Sequence, residues 1–373
     1  MNSKQSIVHS LLTESRFKIY GYLIPMLMLL TVVGKCQVLN VGVVGLSHDH
    51  AHGVMHQFKQ GEVNIVGIVE SDKNLIDRYR QRYQLDEALF FKTISEMLDR
   101  LKPDAVLAYN PIVDHLAVVE ACAPKGISVM VEKPLAVNNQ QAARIAALAE
   151  QYNIHVLTNY ETTWYPSNQQ VKVMVDEQKA IGAIRKMVVH DGHQGPKEIG
   201  CSIEFLNWLT DPVKNGGGAL IDFGCYGANL MTWLMDGKTP IAVTAITRQI
   251  KPSVYPKVDD DATILLEYED AMGIVEASWN WPFGIKDLEV FGTTGYLHAM
   301  NGNTLRERKK DTYEMVTVKS PAYTSNLTYL TDVLTGKIKP DNDLSSLTNN
   351  LIVVKILEAA RQSAREGKRI VLK

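Results

Sequence analysis

The chain has 373 residues, 46% hydrophobic and 21% charged, the make-up of a globular protein with room for two domains of roughly 150 residues each. A formal net charge of −2 supplies no basic field, which argues against nucleic acid as a partner. Four Cys without a C-x-x-C spacing exclude a disulfide scaffold and argue against a structural zinc site.

Arg16 and Lys18 precede an apolar run from Tyr20 to Val33, followed by the small residue Gly34. A basic flank, a short apolar core and small residues at the cleavage site describe a secretory signal, with Val32 and Gly34 at its −3 and −1 positions. The run is shorter than the ~20 apolar residues of a membrane span and contains Pro25. Residues 1–37 therefore read as an export signal, with the periplasm as the expected destination and no stable membrane insertion once it is removed. Retention in the cytoplasm and an uncleaved N-terminal anchor are the alternatives.

From 38 to 158, short Val- and Ile-rich runs (Leu39–Leu46, Asn64–Glu70, Ala105–Tyr109, Ile127–Val131, Ile154–Thr158) alternate with helical stretches (Thr93–Leu101, Ile112–Cys122, Asn138–Gln151). That alternation predicts an α/β fold, a doubly wound parallel sheet of the Rossmann type. From 159 to 373 the texture changes to α+β. Ala242–Arg248, Thr263–Tyr268, Gly273–Trp279, Leu288–Phe291 and Gly295–Ala299 read as strands joined by turns, hence a large, mostly antiparallel open sheet. A long helix is predicted from Ser345 to Glu366.

Gly45-Leu46-Ser47-His48-Asp49-His50 closes the first predicted strand and opens a helix. In a G-x-G-x-x-G dinucleotide fingerprint, Gly45 takes the first position, while Ser47 and His50 stand at the other two. The helix N-terminus would still attract a pyrophosphate. Glu70 ends the second strand 20 residues after His50, the place of the carboxylate that holds the ribose hydroxyls of NAD and repels the 2′-phosphate of NADP. NAD is thus favoured over NADP. His48, His50, His52 and His56 cluster here, but with no defined carboxylate partner or fourth ligand they read as capping, packing or phosphate-contacting residues, and no metal is expected.

Glu132-Lys133-Pro134 ends the fifth strand, at the sheet edge where such folds bind ligands. Further on, Gly216-Gly217-Gly218 leads through Asp222 to Tyr226, four apart and so on one face of a helix. With Asn110-Pro111 and His115, Asp260-Asp261-Ala262 and the closing Gly367-Lys368, these motifs resemble the glucose-fructose oxidoreductase / inositol dehydrogenase / MocA family over nearly the whole chain after residue 37. The resemblance implies an NAD(P)-dependent oxidoreductase acting on a CH–OH group of a sugar, cyclitol or glycoside. It places Lys133, Asp222 and Tyr226 around the reacting hydroxyl. Tyr at the last position is similar to the glucose-fructose oxidoreductase and dihydrodiol dehydrogenase branches; most other members have His. Asn229 stands where many members have Asp.

A free phenol, with a pKa of about 10, is a poor base. The expectation is therefore that the Lys133 ammonium lowers Tyr226 so that it works as acid and base, with Lys133 as electrostatic partner and Asp222 as orienter. Gly45, Ser47, His48, His50, Glu70, Asn110, Pro111, His115, Glu132 and Lys133 are the expected cofactor contacts, with His115 packing near the nicotinamide rather than reacting. Tyr160, Trp164, His190, His193 and Trp281 are candidates for the saccharide. Two alternatives stand beside the dehydrogenase: a redox-assisted glycosidase that recycles its NAD, and a non-catalytic sensor on the same fold. In the family the open sheet face pairs subunits, so a homodimer or homotetramer is expected.

Overall fold

The computed structural model describes residues 38–321 and 323–372; the expected signal at 1–37 lies outside them. The first sheet holds β1 (Asn40–Val44), β2 (Asn64–Val69), β3 (Phe90–Phe91), β4 (Ala105–Ala108), β5 (Ser128–Glu132) and β6 (Val156–Asn159). They pair in parallel in the order β3-β2-β1-β4-β5-β6. This is the predicted doubly wound sheet. Every residue of β4 and β5 is buried, as expected where helices cover both faces. The strand order reverses between β1 and β4, so a crevice opens at the carboxyl edge there.

The second sheet holds β7 (Ile184–Gly192), β8 (Ala242–Arg248), β9 (Asp261–Glu267), β10 (Met272–Ser278), β11 (Ile285–Gly292), β12 (Tyr296–Asn301), β13 (Thr304–Arg308), β14 (Tyr313–Val316) and β15 (Ile370–Val371). Its order is β14-β13-β12-β11-β7-β10-β9-β8-β15. All neighbours are antiparallel except β7 and β10. The central strand, β7, was not among the predicted ones, nor were β13, β14 and β15. Arg185, Lys186, His190 and Asp191 interrupt the apolar character of β7, and two of them carry structural or chemical roles described below.

One face of this sheet is covered by helices. The Gly224–Leu234 helix is buried along its whole length, between the sheet and the Leu347–Glu366 helix. The other face is open and carries Thr263, Glu276, His190 and Asp287 in register across four strands, with Glu289, His298 and Arg306 in register two residues further along β11. Strand periodicity of two decides which residues belong to which face.

The expected boundary after residue 158 cuts β6 one residue short. The first core also draws on a late segment: Leu327, Leu330 and Val333 of the Asn326–Leu334 helix pack with Leu39, Val41 and Ile65. Among the described residues, no helix is long and apolar enough to cross a membrane.

Candidate active site

The nucleotide crevice is formed by loops at the carboxyl ends of β1, β2 and β4. Gly45 adopts φ +80°, and a Cβ there would lie 2.8 Å from the Asn110 Cβ and 2.9 Å from the Asn110 backbone. Only glycine lets the β1 loop pass the β4 loop this closely. The Glu70 carboxylate accepts from Leu46 N at 2.9 Å, Ser71 N at 2.8 Å and Asp72 N at 2.9 Å, so it fixes the loop after β1 to the end of β2. Gly45, Ser47, Glu70, Asn110 and Pro111 line one cavity of about 410 Å³. Asn110 Oδ1 is buried there without a hydrogen-bond partner among the described residues, an acceptor left over for a ligand. These features fit a dinucleotide: a glycine turn, a carboxylate at the ribose position and an orphaned polar atom in one groove.

Further along the crevice, His48 is buried against Phe205 and Trp208, with ring centroids 4.5 and 5.4 Å away. Burial pushes its imidazole well below the usual value, so it is neutral. Its Nδ1 accepts from His50 N at 3.1 Å. His50 Nδ1 in turn lies 3.0 Å from Glu132 Oε2, and Asn159 Nδ2 donates to Glu132 Oε1 at 2.7 Å. The structure thus supplies the carboxylate that the sequence left undefined. One atom each from His48, His50 and Glu132 lie within 4.8 Å of one another, a grouping that can hold a metal ion, although hydrogen bonds already satisfy these atoms. His52 and His56 stand apart: His52 stacks on Tyr79 at 4.7 Å and His56 meets Tyr83 edge-on at 5.5 Å. His115 is fully buried, with Nδ1 3.2 Å from Leu135 O, and burial lowers it to about 4. Its Nε2 is buried with no hydrogen-bond partner among the described residues.

Lys133 follows β5 and turns its side chain into the interior. Its Nζ donates to Asp222 Oδ1 at 2.5 Å and to Asp222 O at 2.9 Å. Asp222 Oδ2 accepts from Trp279 Nε1 at 3.0 Å, so both carboxylate oxygens are engaged. Burial alone would raise Asp222 and lower Lys133, but each ion outweighs it for the other: the carboxyl is held below its usual range and the ammonium above. Asp222 ends the short Ala219–Asp222 helix and Tyr226 lies in the next one, Gly224–Leu234. The single helix face inferred from their spacing is therefore a break at Phe223, and the two residues converge by tertiary packing. Lys133 Nζ lies 5.0 Å and Lys286 Nζ 4.4 Å from the Tyr226 ring centroid, on a ring that meets Tyr160 edge-on at 5.4 Å.

The expectation of a lowered Tyr226 phenol is corrected. Burial, with the negative groups Asp191, Glu161 and Asp222 nearby, pushes it well above its usual value in spite of the two ammonium groups. At neutral pH it is a phenol and a hydrogen-bond donor rather than a base.

The saccharide candidates divide. His193 meets Phe223 edge-on at 4.9 Å and lines a cavity of about 450 Å³ with Asp191, Lys286, Tyr165 and Asn301. Trp164 lines a neighbouring cavity of about 540 Å³ with His50, Glu132, Asn159 and Glu161, and its Nε1 donates to Asn159 Oδ1 at 3.1 Å. Tyr160 is wholly buried beside Tyr226. His190 is a correction: it is bound to Asp287 Oδ1 at 2.7 Å on the open sheet face. Trp281 stays near it, at 6.3 Å between rings. Asn229 is structural, donating to Leu344 O at 2.8 Å.

The site also uses residues that no motif marks. Asp191 and Lys286 are directly opposed across β7 and β11. Lys286 Nζ donates to Glu161 Oε2 at 2.6 Å, an ion pair at the junction of the two cavities. Trp279 holds Asp222 as described.

Comparison with known proteins follows the same division. Residues 39–160 match the oxidoreductase family with an NAD-binding Rossmann fold, and residues 168–298 match the GFO/IDH/MocA C-terminal domain. The chain belongs to the GFO/IDH/MocA oxidoreductase family. It is 30% identical to the trans-1,2-dihydrobenzene-1,2-diol dehydrogenase of Xenopus laevis over 161 residues, 43% of this chain and 44% of that one. It is 28% identical to the rhizopine catabolism protein MocA of Rhizobium meliloti over 217 residues, 56% of this chain and 63% of that one. The matched stretches thus span about half the length of these curated relatives. Among solved structures, the aldose-aldose oxidoreductase from Caulobacter crescentus, complexed with glycerol, superposes with a TM-score of 0.75 at 21% identity, covering 90% of this chain and 100% of that one. An inositol dehydrogenase homolog complexed with NAD+ from Azotobacter vinelandii gives 0.75 at 18% identity over 90% and 98%.

Proposed function

We propose that this protein is an NAD-dependent oxidoreductase that moves a hydride to or from a hydroxyl-bearing carbon of a sugar, cyclitol or glycoside. The observation that supports it most is the buried Lys133–Asp222 pair, on the turn that ends β5, in a fold whose β1–β2–β4 crevice carries the glycine turn and carboxylate that suit NAD. The bound nicotinamide supplies the hydride acceptor or donor. Glu70 and the Gly45 loop hold the adenosine end, and Asn110 and Pro111 line the groove. Lys133 donates a hydrogen bond to the reacting oxygen and stabilises charge developing on it. Asp222, pinned by Lys133 and Trp279, keeps the ammonium in place. Tyr226 presents a phenolic donor, while His193, Lys286, Glu161 and Asn301 offer partners for the remaining hydroxyls of a polyol.

The test is a panel of cyclitols, aldoses and methyl glycosides incubated with the purified protein and NAD+, read as NADH absorbance and as product by mass spectrometry. Turnover that disappears with Lys133→Ala supports the reading. Turnover unchanged by that substitution overturns the role given to Lys133, and failure to bind NAD in a fluorescence titration overturns the whole. Product without net NADH would favour the redox-assisted glycosidase instead.

We further infer export by the segment at 1–37 and pairing of two copies through the open sheet face. That face exposes Ile246, Met272, Phe291 and Met315 between its polar pairs, apolar surface that a second copy would cover. A single copy by light scattering at micromolar concentration, or an unprocessed N-terminus on the isolated protein, would overturn these two inferences in turn.

A further inference from the structure

Four carboxylates gather around the Tyr226 ring and the Glu132-Lys133 turn, and three are fully engaged. Asp222 is held by Lys133 and Trp279. Glu161 accepts from Lys286 and from Tyr165 OH at 2.6 Å. Glu132 is held by His50 and Asn159. Asp191 differs. It is 1% exposed, yet neither of its carboxylate oxygens has a hydrogen-bond partner among the described residues. Its opposite number across the sheet, Lys286, is 3.9 Å away and already donates to Glu161. The side chain lines the 450 Å³ cavity beside His193 and Phe223. A buried polar group is ordinarily paired, because leaving it unpaired costs ~1–3 kcal/mol. A carboxylate with one ammonium at 3.9 Å, no hydrogen bond among the described residues and a cavity beside it has both oxygens left for a ligand.

We propose that Asp191 is a second catalytic residue of this site, the carboxyl group that exchanges a proton with the oxygen of the substrate hydroxyl. The inference rests on the oxidoreductase reading above and deepens it. In the oxidising direction the C–H bond breaks and its electron pair leaves with hydrogen as hydride to the nicotinamide. The O–H bond breaks, its electrons complete the C=O bond, and the proton passes to an oxygen of Asp191 in its ionised form, so oxidation draws on the deprotonated fraction and rises with pH through that titration. In the reducing direction the protonated Asp191 returns the proton to the carbonyl oxygen as hydride arrives. Lys133 stabilises the oxygen in both directions.

Charge around the residue suits this work. The cations facing Asp191 are Lys286 from β11 and Lys133 from the turn after β5; the anions are Asp222 and Glu161. The Tyr165 and Tyr226 phenols, the Cys225 thiol and the His193 imidazole, which burial lowers, complete the titratable surroundings. Burial, with the two anions, outweighs the cations and raises the Asp191 carboxyl well above its usual range. Asp222, Glu161 and Glu132 are all held low. Asp191 alone among the four is therefore displaced toward its protonated form, the direction a group that exchanges a proton with a hydroxyl requires.

The experiment pairs a readout without substrate with a kinetic one. Infrared titration of the purified full chain reads the protonated-carboxyl stretching band. The wild type is expected to keep that band at pH 7, Asp191→Asn to lose it, and Lys286→Met to move its titration to higher pH. With the panel compound that the wild type turns over fastest, Asp191→Asn is expected to lower kcat 10²- to 10⁴-fold with KM changed only a few-fold. The limb of the pH profile that coincides with the infrared titration should vanish, and Asp191→Glu should restore part of the rate. NAD titration by fluorescence confirms that the variants keep their fold. A band at pH 7 that survives Asp191→Asn, the lack of any such band in the wild type, or a kcat within threefold with the same pH limb would each overturn the proposal. If Lys133→Ala is inactive and Asp191→Asn is not, only the role of Asp191 fails; if both remain active, the oxidoreductase reading fails with it.

Discussion

The nucleotide crevice and the pocket beside Tyr226 are neighbours built by different means. The crevice is made by short loops at one sheet edge, and its main fixings are backbone groups: Glu70 accepts from three N–H groups and Gly45 N donates to Val69 O at 2.9 Å. The pocket is made by side chains from five separate segments, Lys133, Glu161, Asp191, Asp222 and Lys286, held together by charge: the Lys133–Asp222 pair is buried, and Lys286 reaches out to an exposed Glu161. Backbone fixings tolerate changes in nearby side chains but not in the turn itself. Buried ion pairs behave the other way: the backbone can relax, but removal of one partner strands the other in a poor solvent.

The sharpest way to break that contrast is Lys133→Met. Turnover is expected to fall at least 10²- to 10³-fold, as when a donor to a developing oxyanion is removed. Asp222 is left as an unpaired buried carboxylate, for a loss of about 3–5 kcal/mol by denaturant titration at pH 7. The pH dependence of stability should also change sign. In the wild type the Asp222 carboxyl lies below its unfolded value of about 3.9, so its contribution is present above that pH and lost as pH falls through the folded value. In the variant burial outweighs what the Trp279 hydrogen bond still supplies, its folded pKa rises, and acidification from pH 7 toward 5 should stabilise the protein.

On the crevice side, Gly45→Ala tests the turn. The new Cβ would meet the Asn110 backbone in a conformation with φ +80°, so the variant should lose more than the ~1 kcal/mol that a glycine replacement gains at a compatible site, and NADH affinity by fluorescence should fall at least tenfold. A milder change is Glu70→Gln. It keeps an acceptor for Leu46 N but removes the charge, so NADH should weaken about tenfold while NADPH improves relative to it. Equal weakening of the two nucleotides would show that the carboxylate serves the loop alone.

The same contrast explains what could be read from the chain. Gly45, Glu70 and Lys133 were legible because loops at strand ends carry local spacing: a turn glycine, a carboxylate one strand later, a motif at the next edge. The pocket was not legible, because its pairs are set by sheet register. His190 was read as a substrate contact, but it is bound to Asp287 on the open face, and its neighbour Asp191 is the residue that lines the inner cavity. On a strand, a shift of one residue moves a side chain to the opposite face, and nothing in the β7 sequence says which face looks inward until β11 is laid beside it. The break at Phe223 was hidden for a related reason. Asp222 and Tyr226 have helical spacing whether or not the helix is continuous.

Tyr226→Phe should give the smallest effect and separates the two parts of the pocket most finely. Lys133 and Lys286 lie on the ring, and the ring packs on Tyr160, so the aromatic body does the positioning. Phenylalanine preserves that body. What is lost is one phenolic donor, and because burial and neighbouring carboxylates keep the phenol protonated, no titrating group disappears. The expected result is a fall in kcat/KM of less than about tenfold, the size of one neutral hydrogen bond, with the pH profile unmoved. Tyr226→Ala removes the body as well, and with it the surface on which both ammonium groups rest, so it should lose far more. A pH limb that disappeared in the phenylalanine variant would return the proton-transfer role to the phenol and leave Asp191 with the binding of a neighbouring hydroxyl.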